Sequence, residues 1–424
     1  MILPEETAPG FSQPSREMRR PQVRGGYFES IATAAPRRWQ SVAGWGEQPA
    51  TFTKADLGLR ASLGVQTTLL GTDNINFERL GQRRAETLLE TSALIKVSLG
   101  DSQGWIPGIG SNLSGNHLQL LYVPTLFQQL GDGRSITAHH FLGEWGHTTA
   151  TWRSLLRVDY DQRLLISSEN TSPEDNFTML DASLMGESKI NPKNTLRAKG
   201  TLRRIELPNG LSARNHWIGE MVWFYELSPK TRFGPGAELG FVDFEQSQLG
   251  HQNYQQAQLW GEWRPTEKLS FSSTLGLETR AIRSGAQSDH LRRLVGQWFM
   301  SWQASDKTRL SLRARLNQDP SVIAQGATAR TLRVGPEFQH EFSEHFYSTF
   351  DATLMRRRYL GLDQPRLDIE PLCRLAMGWR AQQDRRLNRT NLELFYQWHH
   401  RDRSDDPADD RFRTQAGLQL THQF

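Results

Sequence analysis

Cysteine is nearly missing from this chain: there is one, Cys373, in 424 residues. A single thiol cannot build an intramolecular disulfide framework. It reads as a small apolar residue on a strand face. Long apolar runs are missing too. No stretch of eighteen apolar residues occurs, which excludes helical membrane spans. The mean hydropathy of −0.60 does not exclude a transmembrane β-barrel, whose strands are apolar on one face only. Lysine is scarce: Lys54, Lys96, Lys189, Lys193, Lys199, Lys230, Lys268 and Lys307 are the eight, so 42 of the 50 basic residues are arginine. Arginine offers a rigid, permanently charged fork suited to carboxylate, sulfate and phosphate. A GC-rich genome is the compositional alternative. The start, Met1-Ile2-Leu3-Pro4-Glu5-Glu6, has no basic n-region and no apolar h-region. For an exported protein this leads to the expectation of a trimmed or mis-started precursor.

What the sequence has in abundance is alternation. In the last segment, Phe412, Ala416, Leu418, Leu420 and Phe424 fall on one strand face, and Arg411, Arg413, Gln415, Gln419 and Gln423 on the other. Such a strand closes either an outer-membrane barrel or a soluble sandwich. Ala55 to Leu70 alternates in the same way through Leu57, Leu59, Ala61, Leu63, Val65 and Leu69, and no helical stripe competes. Residues 1–50 differ. They hold six prolines and the cluster Arg16, Arg19, Arg20 and Arg24, and read as an irregular periplasmic segment or partial plug, with a disordered leader as the alternative. Residues 51–424 read as one β domain.

Short polar turns recur at Lys193, Lys230, Lys268, Lys307, His345 and Arg385, in steps of 37, 38, 39, 38 and 40 residues. A repeat near forty residues suggests propeller blades. Here each step holds only two long alternating stretches, which makes it a hairpin of an up-and-down barrel. Aromatics precede the turns: Tyr225, Trp263, Trp302, Phe342 and Trp379. With Phe424 they are expected to form a girdle at one membrane interface. The prediction is an all-β transmembrane antiparallel barrel of eighteen strands, with sixteen as the alternative count. The count is least constrained between 100 and 150, where Gly104 to Gly115 makes a long inner turn.

Giving the apolar parity to lipid puts the following on the pore side: Arg153, Arg157, Arg197, Lys199, Arg203, Glu278, Arg280, Arg293, Arg309, Arg313, Arg315, Arg333, Glu337, Arg357, Glu370, Arg374, Arg380, Arg389, Glu393, Arg411 and Arg413. A wide barrel keeps such a face hydrated. Asp159, Glu220, Glu278, Glu337, Asp351, Glu370 and Glu393 are expected to pair with part of the arginine set, and the remainder to attract anions. The alternative is a self-neutralised ladder.

The turn phrases Tyr225-Glu-Leu-Ser-Pro-Lys-Thr231, Trp263-Arg-Pro-Thr-Glu-Lys-Leu-Ser270 and Trp302-Gln-Ala-Ser-Asp-Lys-Thr-Arg-Leu310 resemble the hairpins of the β-barrel porin 2 family. The resemblance covers roughly residues 55–424. It implies an outer-membrane location and a role in the diffusion or export of polysaccharide, as in barrels of exopolysaccharide operons. It carries no catalytic residue. The partners it implies are outer-membrane lipid and lipopolysaccharide, the barrel-assembly machinery through the C-terminal strand, and polysaccharide export components.

Enzyme chemistry finds little purchase. His139-His140 and His399-His400 are adjacent on strands, so neither pair can chelate from one side; no metal or cofactor is expected. Ser404 near His400, and Ser301 or Ser343 near His340, lack any local signature, so a rim lipid-processing enzyme is the least favoured reading. Asp402, Asp405, Asp406, Asp409 and Asp410 read as a solvated outer loop, with calcium or lipopolysaccharide bridging as the alternative. Gly104 to Gly115 lacks the lysine of a phosphate loop. Arginines and aromatics are expected on opposite faces of each strand, which argues against stacking on nucleic-acid bases.

Overall fold

The computed structural model describes residues 60–73, 85–100, 115–131, 133, 135–149, 151–164, 176–206, 213–245, 250–284, 287–320, 328–360, 366–383, 388–403 and 411–423. Residues 1–50, residues 104–114 of the expected inner turn, the Arg385 marker, Ser404 to Asp410 and Phe424 lie outside them, and with them the expectations placed there. Among the described residues, regular structure is strand alone. The first six strands are β1 (Arg60–Thr72), β2 (Glu86–Gly100), β3 (Gly115–Gln129), β4 (Ser135–Thr148), β5 (Trp152–Leu164) and β6 (Asn176–Asn191). Then come β7 (Asn194–Glu206), β8 (Arg214–Ser228), β9 (Thr231–Phe244), β10 (His251–Thr266), β11 (Leu269–Ser284) and β12 (Gln287–Ser305). The last are β13 (Thr308–Pro320), β14 (Thr328–Glu341), β15 (Phe346–Leu360), β16 (Arg366–Gln383), β17 (Asn388–Arg403) and β18 (Arg411–Gln423).

Each strand pairs antiparallel with its sequence neighbours, and β1 pairs with both β2 and β18, so the sheet closes into an 18-strand barrel. At the seam Leu69 lies opposite Leu418 on one side and Leu89 on the other. Closure leaves no strand edge at the seam. Strands run from 13 residues in β1 to 19 in β12. All of them exceed the roughly 9–11 residues a tilted strand needs to cross a bilayer.

The spacing of the turns has a local cause. In four of them the residue two before the marker opens the turn with a side-chain oxygen that takes main-chain N–H groups. Asn191 accepts from Lys193 and Asn194, Ser228 from Lys230, Ser305 from Lys307, and Ser343 from His345 and Phe346. These are the side-chain turns for which Asn and Ser are favoured. Each described marker carbonyl is then held by the next hairpin. Lys193 O accepts from Glu226 N, Lys230 O from Arg264 N, Lys268 O from Gln303 N, Lys307 O from Glu341 N and His345 O from Arg380 N, at 2.7–2.8 Å. One hairpin is thereby keyed to the next by the same bond, and the period follows.

Burial follows parity. One face of the wall is exposed and apolar around the waist: Leu239, Leu259, Leu275, Leu375, Met377 and Leu394 are each at least half exposed. A contiguous apolar surface of this kind is not that of a water-soluble monomer. Exposed aromatics border it at the short-turn end, where Tyr225 and Phe233 sit 5.9 Å apart and Trp263 and Phe271 stack at 5.2 Å. Trp302, Phe342, Phe346 and Trp379 continue that border, and Phe346 faces Trp379 across β15 and β16. A second border lies at the far end, with Trp217 against Phe241 at 5.3 Å and Trp398 against Phe412 at 6.0 Å. Trp217 and Tyr225 are separated by eight residues of β8, roughly 26 Å of strand.

Candidate functional site

The other parity turns into the barrel. Arg153, Arg157, Arg197, Lys199, Arg203, Glu278, Arg280, Arg293, Arg309, Arg313, Arg315, Arg333, Glu337, Arg357, Glu370, Arg374, Arg380, Glu393 and Arg413 all occupy inward positions of the ladder. Lys199 and Arg293 stay exposed there. Arg389 and Arg411 hold the same parity in register, and their side chains lie outside the described residues. Cys373 and the second histidine of the pair His399-His400 turn outward, while His399 is 5% exposed inside. His140 is likewise inside and bonds Asp159 at 2.9 Å, with His139 outside against Tyr122. His340 is outward, on Thr308, and Ser301 is inward, so those two cannot cooperate in catalysis.

Two dense networks occupy the inner wall. The first spans β6 to β11. Arg232 forms a two-bond fork with Glu262, both bonds 3.0 Å, and Arg203 holds Asp181 through Nε at 2.9 Å. Arg280 donates to Glu278 at 2.7 Å and to Gln252 at 3.0 Å. Arg and acid two residues apart on a strand share a face, which is why Arg280 finds Glu278. The second spans β15 to β17. Asp368 accepts from Arg366 at 3.0 and 3.1 Å, from Arg401 at 2.7 Å and from the Tyr359 hydroxyl at 3.1 Å. Arg374 holds Glu393 at 2.7 Å, and the Tyr347 hydroxyl donates to the same carboxylate at 3.0 Å.

The structure corrects two expectations. Arginines and aromatics do not keep to opposite faces. Phe224, Tyr254, Trp260, Tyr347, Tyr359 and Phe395 are inward and stack on guanidinium groups: Arg197 lies 4.9 Å from Phe224 and 4.6 Å from Trp260, and Arg380 lies 4.3 Å from Tyr347. The flat, weakly hydrated guanidinium favours such faces when water is displaced. The lumen is also not hydrated throughout. Asp368 and Arg401 are 0% exposed and Arg280, Glu278 and Arg413 are 1% exposed, so at these levels it is packed. Buried charge is tolerated at Asp368 with Arg401 and at Glu278 with Arg280 because these groups are paired and hydrogen bonded.

Glycine makes room for the inward rings. A Cβ on Gly378 would run into Tyr347, and one on Gly240 into Tyr254. The Tyr347 ring thus lies flat on the wall while its hydroxyl reaches Glu393. Gly378→Val is expected to lift that ring off Arg380 and to destabilise the barrel by about 1–3 kcal/mol. Urea unfolding followed by tryptophan fluorescence measures it, and an unchanged midpoint would show that the ring has another place to go.

Parity reasoning missed Asp181, Arg214, His216, Arg232, Glu238, Glu262, Arg366, Asp368 and Arg401. Most obey the same alternation and were legible by it. Arg214 and His216 open β8, and Arg401 follows His399 by two residues, where the strand pattern begins or ends and counting is easily stopped short.

One region departs from a regular wall. The β12–β13 ladder ends at Gly296 opposite Leu316. Beyond it β12 continues along β11 to Gln287, and β13 continues along β14 to Pro320 opposite Thr328. The described end of β13, Asn317 to Pro320, is thereby parted from β12, while β14 stays laddered to β15 from Thr328 opposite Leu360. Gln318 and Thr328 hold outward parity, yet they are 2% and 0% exposed. The freed carbonyls of β13 are taken by side chains from the facing strands. Arg280 donates to Gln318 O at 2.7 Å and Arg214 to Pro320 O at 3.3 Å. A buried main-chain acceptor needs such a partner.

No family model matches the chain, and no curated protein does. Solved structures similar to it include Pseudomonas aeruginosa OpdK with vanillate, at 12% identity over 86% of this chain and 98% of that one, with a TM-score of 0.45. P. aeruginosa OccK2 (OpdF) in complex with glucuronate is 13% identical, covers 86% and 98% of the two chains, and has a TM-score of 0.46. Acinetobacter baumannii OccAB2 is 11% identical over 86% and 98%, with a TM-score of 0.43.

Proposed function

We propose that this chain is an outer-membrane channel of a Gram-negative-type bacterium that passes anionic solutes through an arginine-rich lumen. The observation that supports this reading best is the pairing of two surfaces on one wall: an apolar waist outside and a guanidinium-rich face inside. Nothing in a water-soluble fold calls for the first, and the second offers forks for carboxylate or phosphate along the barrel axis. The exposed aromatics at both ends are read as interface girdles, and the apolar waist as the surface for outer-membrane lipid, with lipopolysaccharide at the outer rim. Assembly would run through the barrel-assembly machinery and the C-terminal strand. Export of an anionic polysaccharide, alone or with export components, is the finer version suggested by the hairpin phrases of the β-barrel porin 2 type. The packed levels of the lumen favour a second reading, an occluded docking barrel of an envelope complex.

Planar-bilayer recordings separate the two. Conductance with a reversal potential favouring chloride over potassium is expected for the channel, and silence for the docking barrel. The triple variant Arg309→Gln, Arg313→Gln, Arg315→Gln removes three inward cations of β13 and is expected to lower the anion preference at least about twofold. An unchanged reversal potential would remove these arginines from selectivity.

A further inference from the structure

We propose that Arg330, Arg356 and Arg358 form a binding site, on the outside of the barrel, for the phosphate groups of an outer-leaflet lipid. The inference rests on the outer-membrane reading and not on conduction. On the outward parity of β14 the apolar run ends at Leu332 and the next residue is Arg330. On that of β15 it ends at Leu354 and the next two are Arg356 and Arg358. Arg356 lies ten residues of β15 from the girdle residue Phe346, roughly 33 Å of strand. At a barrel tilt of about 40° this is a rise of about 25 Å, the height of the apolar band of such a wall. The cations therefore begin where hydrocarbon ends. They do so at the end away from the short turns, which lie on the periplasmic side of outer-membrane barrels.

The register brings the three together. Arg330 lies directly opposite Arg358, and Arg356, opposite Leu332, is its diagonal neighbour. Like charges directly opposite on one face repel. Their other cross-strand neighbours are neutral: Gln318 on β13 faces Arg330, and Leu367 and Ile369 on β16 face Arg358 and Arg356. Asp402 of β17 lies opposite Ile369, two strands or about 10 Å from Arg356. Among the described residues none of the three guanidinium groups takes part in an ion pair. Arg356 and Arg358 are exposed, and Arg330 Nε is buried without a hydrogen-bond partner. The outward cation of β7 differs. Arg204, just beyond the Trp217 border and opposite Asn215, is bonded to Glu206 and Glu245, each at 2.8 Å. Phosphate is the anion that fits the unneutralised set, because its oxygens accept two-bond forks from several guanidinium groups at once. A basic cluster at headgroup depth recognises phosphorylated lipid in this way.

Lipid A carrying both of its phosphates is the probe, titrated into the detergent-solubilised full chain and counted by native mass spectrometry. The wild type is expected to retain it, and to bind the same lipid stripped of its phosphates at least about tenfold more weakly. Arg330→Gln, Arg356→Gln and Arg358→Gln together are expected to weaken binding at least about tenfold. Arg330→Lys, Arg356→Lys and Arg358→Lys together keep the charge without the forks and are expected to weaken it less. Arg204→Gln removes a cation that is already neutralised and is expected to leave binding within about twofold. Absence of binding by the wild type overturns the proposal, as does equal affinity of a folded glutamine variant. Equal binding of the lipid without phosphates overturns it even where the variant does not fold. A loss as large for Arg204→Gln would make the binding a diffuse attraction and remove the site. Inorganic phosphate that displaces lipid A at equal concentration would assign the site to the free ion and overturn the lipid assignment. The membrane reading fails on a separate measurement, the depth dependence of Leu275→Arg against Ala281→Arg in β11. A steep gradient there with lipid A binding unmoved by the glutamine variant sinks the site alone.

Discussion

Asp368→Asn is expected to lower the stability of the barrel by about 3–5 kcal/mol, the usual cost of stripping a buried ion-pair network of one partner. Asp368 and Arg401 are both 0% exposed, and Asp368 takes four bonds, from Arg366, Arg401 and Tyr359. The amide keeps the shape of the side chain but not its charge, and it turns one acceptor into a donor that faces guanidinium. Arg401 then has Glu370 at 3.6 Å as its described acidic neighbour, and Glu370 is already shared with Arg357 at 3.4 Å. The measurement is urea unfolding of the folded protein in lipid vesicles, with Asp368→Asn, Arg401→Gln and the double variant as a cycle. A coupling above about 1 kcal/mol is expected between the two sites. A loss below that for the single variant would mean that water reaches the network, in which case the lumen is hydrated at this level and the packing described for β15 to β17 is not what holds it.

That network shows where the sequence was informative. The hairpin period was legible because each marker is a local event: Asn191, Ser228, Ser305 and Ser343 bend their own chain, and the marker carbonyl is tied to a residue 33 to 35 positions on. The faces were legible because alternation alone fixes them, and Leu310, Leu312 and Leu316 cannot share a side with Arg309, Arg313 and Arg315. Eighteen strands followed from the two together. The alternation read from Ala55 to Leu70 is described as strand at Arg60–Thr72.

Two features were out of reach for physical reasons. Phe224, Tyr254, Trp260, Tyr347, Tyr359 and Phe395 break the rule that apolar means outward, because each is stabilised by a cation or glycine on another strand. Alternation within one strand carries no trace of such a partner. The burial of the end of β13 depends on β12 and β13 parting after Leu316, a property of two registers at once. Nothing local marks it, since Asn317, Gln318 and Asp319 read as an ordinary approach to an outer loop. Gln318 even keeps its outward parity while losing its outward exposure.

Whether the apolar waist faces lipid is open to a direct test through one residue. Leu275 lies near the middle of β11, is 56% exposed, and is paired with Leu259, which is 58% exposed. If hydrocarbon surrounds it, Leu275→Arg is expected to cost about 2–4 kcal/mol, the price of a guanidinium at mid-bilayer depth on the outside of a barrel. Ala281→Arg, on the same face and beside the exposed Arg283, sits toward the outer end, where the cost falls to about 0–1 kcal/mol. The depth dependence is the discriminating quantity. In water both positions would be exposed surface sites, at which substitutions change stability by within about 0.5 kcal/mol. Reversible unfolding from vesicles gives both numbers. Two small and equal losses would leave the barrel intact and take away its membrane; a steep gradient from Ala281 to Leu275 would mark the bilayer by its effect on one strand, independently of any current through the lumen.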